Sequence, residues 1–106
     1  MWQTCSQKEL EKMIELEELA MDPPTRLFWD LIKIPPVKWQ LSPWGDEGGG
    51  FWVVALAGRN CVYFNDIEEG FNRSQYEEFG RIRDYWCNQS GLAECIRNTF
   101  KSSCTT

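Results

Sequence analysis

Seven consecutive residues, Phe51-Trp52-Val53-Val54-Ala55-Leu56-Ala57, carry no polar side chain, and most are aromatic or β-branched. A run of this length and type is expected as a strand at the centre of a sheet with both faces covered. Gly58-Arg59-Asn60 follows as a short turn, and Cys61-Val62-Tyr63-Phe64-Asn65 then returns as the second arm of a hairpin. Ahead of the strand, Ser42 to Gly50 is expected as a loop. Its glycines follow Asp46 and Glu47 and open a strand rather than a helix, so they suit a tight approach to the sheet better than a phosphate cradle.

The flanks read as helices. Ser6-Gln7-Lys8-Glu9 has the form of a capping box. Behind it Leu10, Met13, Ile14, Leu16, Ala20 and Met21 fall on one side of a helical wheel, which predicts an amphipathic helix over 7–21 that Pro23-Pro24 ends. Glu17 projects inside that stripe. It either reaches water at the stripe's edge or is a buried carboxylate paired with an arginine. Thr25 can cap a second short helix from Arg26 to Lys33, stopped by Pro35-Pro36, and 37–41 is expected to be extended. Between Phe71 and Trp86 neither period fits throughout, and Gly80 splits the stretch into expected strands at 72–77 and 81–86. Ser90 can cap a last helix over 91–101. The expected fold is a single α+β domain over 1–106, an antiparallel sheet spanning 37–86 around the central hairpin with helices packed on one side.

Composition narrows the function. The 106 residues contain no histidine, which removes Ser-His and Cys-His dyads, histidine metal sites and the usual proton shuttle at neutral pH. The net charge of −5 makes nucleic acid a poor partner, because phosphate binding rests on Lys and Arg. Five cysteines at 5, 61, 87, 95 and 104 form no CxxC pair and read as reduced thiols, with Cys61, Cys87 and Cys95 packed in or beside elements. No basic stretch leads into an apolar one at the N-terminus and no run approaches the length of a membrane span, so a cytoplasmic protein is expected. No cofactor or metal is expected.

The densest polar cluster is Asn65-Asp66-Ile67-Glu68-Glu69, with Asn72 and Ser74 close behind. Asp66, Glu68 and Glu69 could hold a divalent cation or act as an acid/base pair, although no EF-hand spacing is present. The plain alternative is a solvated loop in which Asn65 and Asp66 make turn hydrogen bonds. A third possibility is an acidic recognition surface, which the charge distribution favours. Residues 1–22 carry six acids against two bases, 23–70 six against four, and 71–106 four against five. Such a balance suits a basic protein partner. Trp2, Trp39, Trp44 and Trp86 stand near element ends or in loops, where one or two can serve as interface anchors.

Three segments carry a family likeness: Gly48-Gly49-Gly50-Phe51-Trp52-Val53-Val54-Ala55, Tyr63 to Ser74, and Tyr85-Trp86-Cys87-Asn88-Gln89. Over about residues 37–97 the chain resembles small bacterial immunity proteins of contact-dependent growth inhibition and polymorphic toxin systems. The resemblance implies a protein that binds the C-terminal toxin domain delivered by a neighbouring cell, often a nuclease with a basic cleft, and occludes its active site. On charge and expected exposure alone, the partner-binding residues are Asp46, Glu47, Asp66, Glu68, Glu69, Glu77, Glu78 and Trp44. The rival functions are a small carboxylate or metal-dependent enzyme and a generic interaction adaptor.

Overall fold

The structure, a computed structural model, describes residues 4–41, 44 and 49–104, with side chains described as far as Lys101. Its elements run α1 (Gln7–Leu19), α2 (Pro23–Ile32), β1 (Lys33–Trp39), β2 (Phe51–Ala57), β3 (Asn60–Asn65), β4 (Gly70–Gln75) and α3 (Leu92–Cys104). The four strands form one antiparallel sheet in the order β1-β2-β3-β4, so the fold is α+β as the sequence implied.

Strand β2 is covered on both faces, and a bulge decides how its side chains divide. Val53 pairs with Tyr63 while Ala55 pairs with Val62, so Val54 is one residue more than the partner strand supplies. The extra residue resets the alternation. Phe51 and Val53 face one way, Val54 and Ala55 both face the other, and Leu56 returns to the first side. One cluster therefore gathers Val54, Ala55, Val62, Phe64 and Phe71 under Leu10 of α1, Trp29 of α2 and Leu92, Cys95 and Ile96 of α3. The second gathers Phe51, Val53, Cys61 and Tyr63 with Trp39, Leu41 and Ile82. The helices cover the first face, and the chain from residue 76 to 90 covers the second.

Several expectations are corrected here. Residues 81–86 are not a strand: Arg81 makes only isolated bridges to Gln40 and Glu78, and the rest is irregular. The sheet spans 33–75 rather than 37–86. Pro23 and Pro24 do not merely end α1; they occupy the first turn of α2, where the missing N–H costs nothing. Asp22 takes the N-cap position, and Thr25 donates its hydroxyl to the Asp22 carboxylate at 2.6 Å instead of capping. Pro35-Pro36 do stop α2, but the chain continues directly as β1. It is an edge strand, and its pairing slips between Lys33 and Val37 across the two prolines, where missing donors are tolerated. Leu16, placed in the buried stripe by periodicity, is exposed, as is Leu19.

Glu17 follows neither expectation. Its Oε1 accepts the backbone N–H of Ala93 at 2.9 Å, so a carboxylate of α1 caps the N-terminus of α3 in place of Ser90. Ser90 instead gives its carbonyl to Phe71 N. A side chain at Gly91 would crowd the same carboxylate, since its Cβ would stand 2.8 Å from Oε1. The Glu17→Ala variant is expected to lose about 1 kcal/mol of stability, the ordinary worth of a helix cap, read as a lower urea midpoint with unchanged slope. An unchanged midpoint would show that the cap is idle.

Candidate interaction face

Within the irregular segment 76–90, residues 84–88 are held to the sheet by buried polar side chains, while backbone hydrogen bonds at Tyr76, Gly80, Ile82, Arg83 and Ser90 hold the rest. Tyr63 Oη accepts Trp86 N–H at 2.7 Å and donates toward the carbonyl of Asp84 at 3.1 Å. Asn65 Nδ2 donates to Trp86 O at 2.9 Å, while its Oδ1 accepts the N–H groups of Ile67 and Glu68 and so closes the β3–β4 turn. Asn72 acts as a substitute peptide unit: its Nδ2 donates to Asn88 O and its Oδ1 accepts Asn88 N–H, both at 3.1 Å. Ser74 Oγ accepts Asp84 N–H at 2.8 Å. Tyr63, Asn65, Asn72 and Ser74 are all buried, so each of these polar groups is compensated where it lies.

The outward side of this segment, with Trp44 beside it, is aromatic. Phe79 is 76% exposed and leans edge-on against Trp39, with ring centroids 6.1 Å apart. Trp44 is 46% exposed and stacks on Tyr85 at 4.4 Å. Trp86, whose backbone the clamps fix, is 50% exposed. Glu77 and Glu78 are exposed beside Phe79 and, with Arg81 and Arg83, line a shallow cavity of about 340 Å³. Glu78 and Arg81 approach within 3.9 Å, an exposed pair worth little.

The other expected partner residues fare differently. Asp46, Glu47 and Trp2 lie outside the described residues. Asp66 is corrected outright: it is only 8% exposed, and its Oδ2 accepts the N–H of Cys5 at 2.8 Å. Cys5 O in turn accepts Trp52 Nε1–H at 2.7 Å, so Cys5 ties the chain ahead of α1 to the sheet and withdraws Asp66 from any surface. Nothing local in the sequence signals this contact, which spans 61 positions. Glu68 is half-buried and Glu69 exposed on the same turn, where Glu69 takes a φ of 57°. Trp39, read as an element-end residue, is buried.

The acidic excess of the N-terminal third is largely engaged inside the molecule. Glu18 accepts Trp29 Nε1–H at 2.7 Å and lies 3.9 Å from both Arg26 and Lys33. Asp30 binds Lys33 at 2.9 Å and Arg26 at 3.2 Å, which hold its carboxyl below the usual range. Asp22 is lowered chiefly by the Thr25 hydroxyl, with Arg97 adding to it. Among the described residues no three Cys, Asp or Glu side chains gather in a way that could hold a metal ion, and no helix is long and apolar enough to cross a membrane.

The thiols divide by burial. Desolvation pushes Cys61 and Cys95 up to about 12, while Cys87, expected to be packed, is exposed. Cys87 is expected to react with iodoacetamide at neutral pH while Cys61 and Cys95 stay protected until unfolding, as peptide-resolved mass spectrometry would show. The unfolded thiols ionise near 9 and the folded ones near 12. Folding therefore retains protons that the unfolded chain releases, and stability should fall as pH rises through that window. A pH-independent stability between those limits would contradict it.

No family model, curated protein or solved structure matches this chain.

Proposed function

We propose that this chain is a non-catalytic, cytoplasmic binding protein of the immunity type, which docks through the face formed by 76–90 and Trp44 onto a basic toxin domain, of the nuclease class, and occludes its cleft. The observation that carries this reading is the set of three large exposed aromatic side chains, Trp44 stacked on Tyr85, Phe79 packed on Trp39, and Trp86 on a backbone that buried polar groups fix in place. Pre-positioned aromatics lose little entropy on binding and dominate measured interface energies, whereas exposed leucines such as Leu19 and Leu31 of the helical side are under-represented among such anchors. Internal ion pairs leave the net charge of −5 intact, and the field it creates steers a basic partner.

The test is titration against the product of the adjacent upstream gene. A one-to-one complex with a Kd below about 1 μM, and loss of that product's activity at equimolar ratio, are expected. No complex at that concentration counts directly against the proposal.

A further inference from the structure

Strand β4 is the second edge of the sheet, and its outer side is closed at both ends but open in the middle. Phe71 N–H points outward to Ser90 O at 2.9 Å, and Gln75 O points outward to Arg83 N–H at 3.3 Å. Alternation in an antiparallel ladder then turns the N–H and C=O of Arg73 outward as well. The covering chain bows away between residues 84 and 88, and among the described residues no backbone group meets Arg73 there. A cavity of about 440 Å³ occupies the gap, within the size range of small-molecule sites.

Its lining carries one charge of each sign. Arg73 and Asp84 both border it, yet they form no ion pair with each other or with any described residue. Amide side chains of Asn60, Gln75 and Asn98 complete much of the wall. Arg73 is half-buried and shares the helical side of β4 with Phe71 by strand alternation, while the Asp84 backbone is bonded to Ser74 Oγ and Tyr63 Oη on the opposite side. The two charges thus flank the open backbone unit from its two faces.

We propose that this groove is a binding site for a small zwitterion of the free α-amino-acid class. The ligand carboxylate takes the Arg73 guanidinium and the outward N–H, and the ligand ammonium takes Asp84 and the outward carbonyl. An edge-strand residue offers its N–H and C=O side by side on one edge, matching a carboxylate and an ammonium borne on one carbon. The groove borders the docking face, since Trp86 also lines it, but the proposal does not depend on the partner proposed above.

Calorimetric titration of the full chain with each common free amino acid in turn, up to about 10 mM, tests this directly. At least one is expected to bind saturably and to shift the Arg73 amide resonance in a nitrogen–proton correlation spectrum. The N-acetyl derivative and the methyl ester of that amino acid, each lacking one charge, should bind at least about tenfold more weakly. Arg73→Gln and Asp84→Asn should each weaken binding similarly. Because the spectrum reads the wild-type chain, a poorly folded variant does not obscure the outcome. No binding by any free amino acid, or equal binding by the singly charged derivatives, overturns the proposal.

Discussion

Replacing Gly70 with alanine is expected to cost about 3 kcal/mol, the upper end of overpacking effects, and to release the chain at 88–90 from the sheet. A Cβ at this position would overlap the backbone of Asn88 and Gln89, which cross directly over the start of β4. Backbone cannot swing aside as the end of a flexible side chain can. The strain falls next to the Phe71–Ser90 hydrogen bond, which ties this crossing to the strand, and beside Leu92, where α3 begins. The loss should therefore appear in chemical denaturation and also as faster amide exchange at Phe71. A stability change under about 0.5 kcal/mol, the range of ordinary surface substitutions, would show that the crossing is looser than described.

The second large effect belongs to Asn72. Its side chain supplies both hydrogen bonds of the Asn88 peptide and a longer one, at 3.4 Å, to Gly70 O, and it is almost fully buried. Asn72→Ala leaves the N–H and C=O of Asn88 without these partners and opens a void beneath them. A loss of about 2–4 kcal/mol is expected, combining unpaired polar groups with a small cavity. Asn72→Asp is the informative companion. It keeps the shape and the acceptor for Asn88 N–H but sets a carboxylate oxygen against Asn88 O, so it should be nearly as damaging at neutral pH and recover partly when protonated. Equal tolerance of both variants in a urea titration would remove Asn72 from the clamp.

These two residues also show where the sequence could and could not be read. The β2–β3 hairpin and α1 with its capping box were legible because local periodicity and local turn chemistry agree with what the tertiary structure requires, and α3 was legible from its periodicity though not from its cap. Gly50 behaved as its place before a strand suggested: it takes a φ of 111° and lets the backbone pass close to Trp39 O. The stretch after β4 was not legible. Tyr76, Ile82 and Tyr85 pack on the sheet and so mimic strand spacing, but the backbone at Asp84, Trp86 and Asn88 is held by Ser74, Tyr63 and Asn72, whose pairing to positions 10–23 residues away leaves no local trace.

The candidate site was partly legible for the same reason. Glu77, Glu78 and Trp44 are exposed, as their expected positions implied, and the loop position of Trp44 was a usable signal. Phe79 was passed over because a large apolar residue in a periodic stretch is ordinarily core. Asp66 was chosen because it sits among polar neighbours, yet the strap through Cys5 buries it. The acids of α1 and α2 were counted as surface charge, whereas Glu17 and Glu18 bond α1 to α3 and to Trp29 of α2.

The most direct measurement of the docking face is a paired calorimetric titration of the partner, the upstream gene's product, with the wild-type chain and with the variants Phe79→Ala and Trp86→Ala. These side chains are exposed, so their removal should leave the thermal midpoint nearly unchanged while weakening the complex by about 2 kcal/mol each, roughly thirtyfold in Kd. A tight complex whose affinity ignores both substitutions would place the interface elsewhere on the molecule and contradict the docking face.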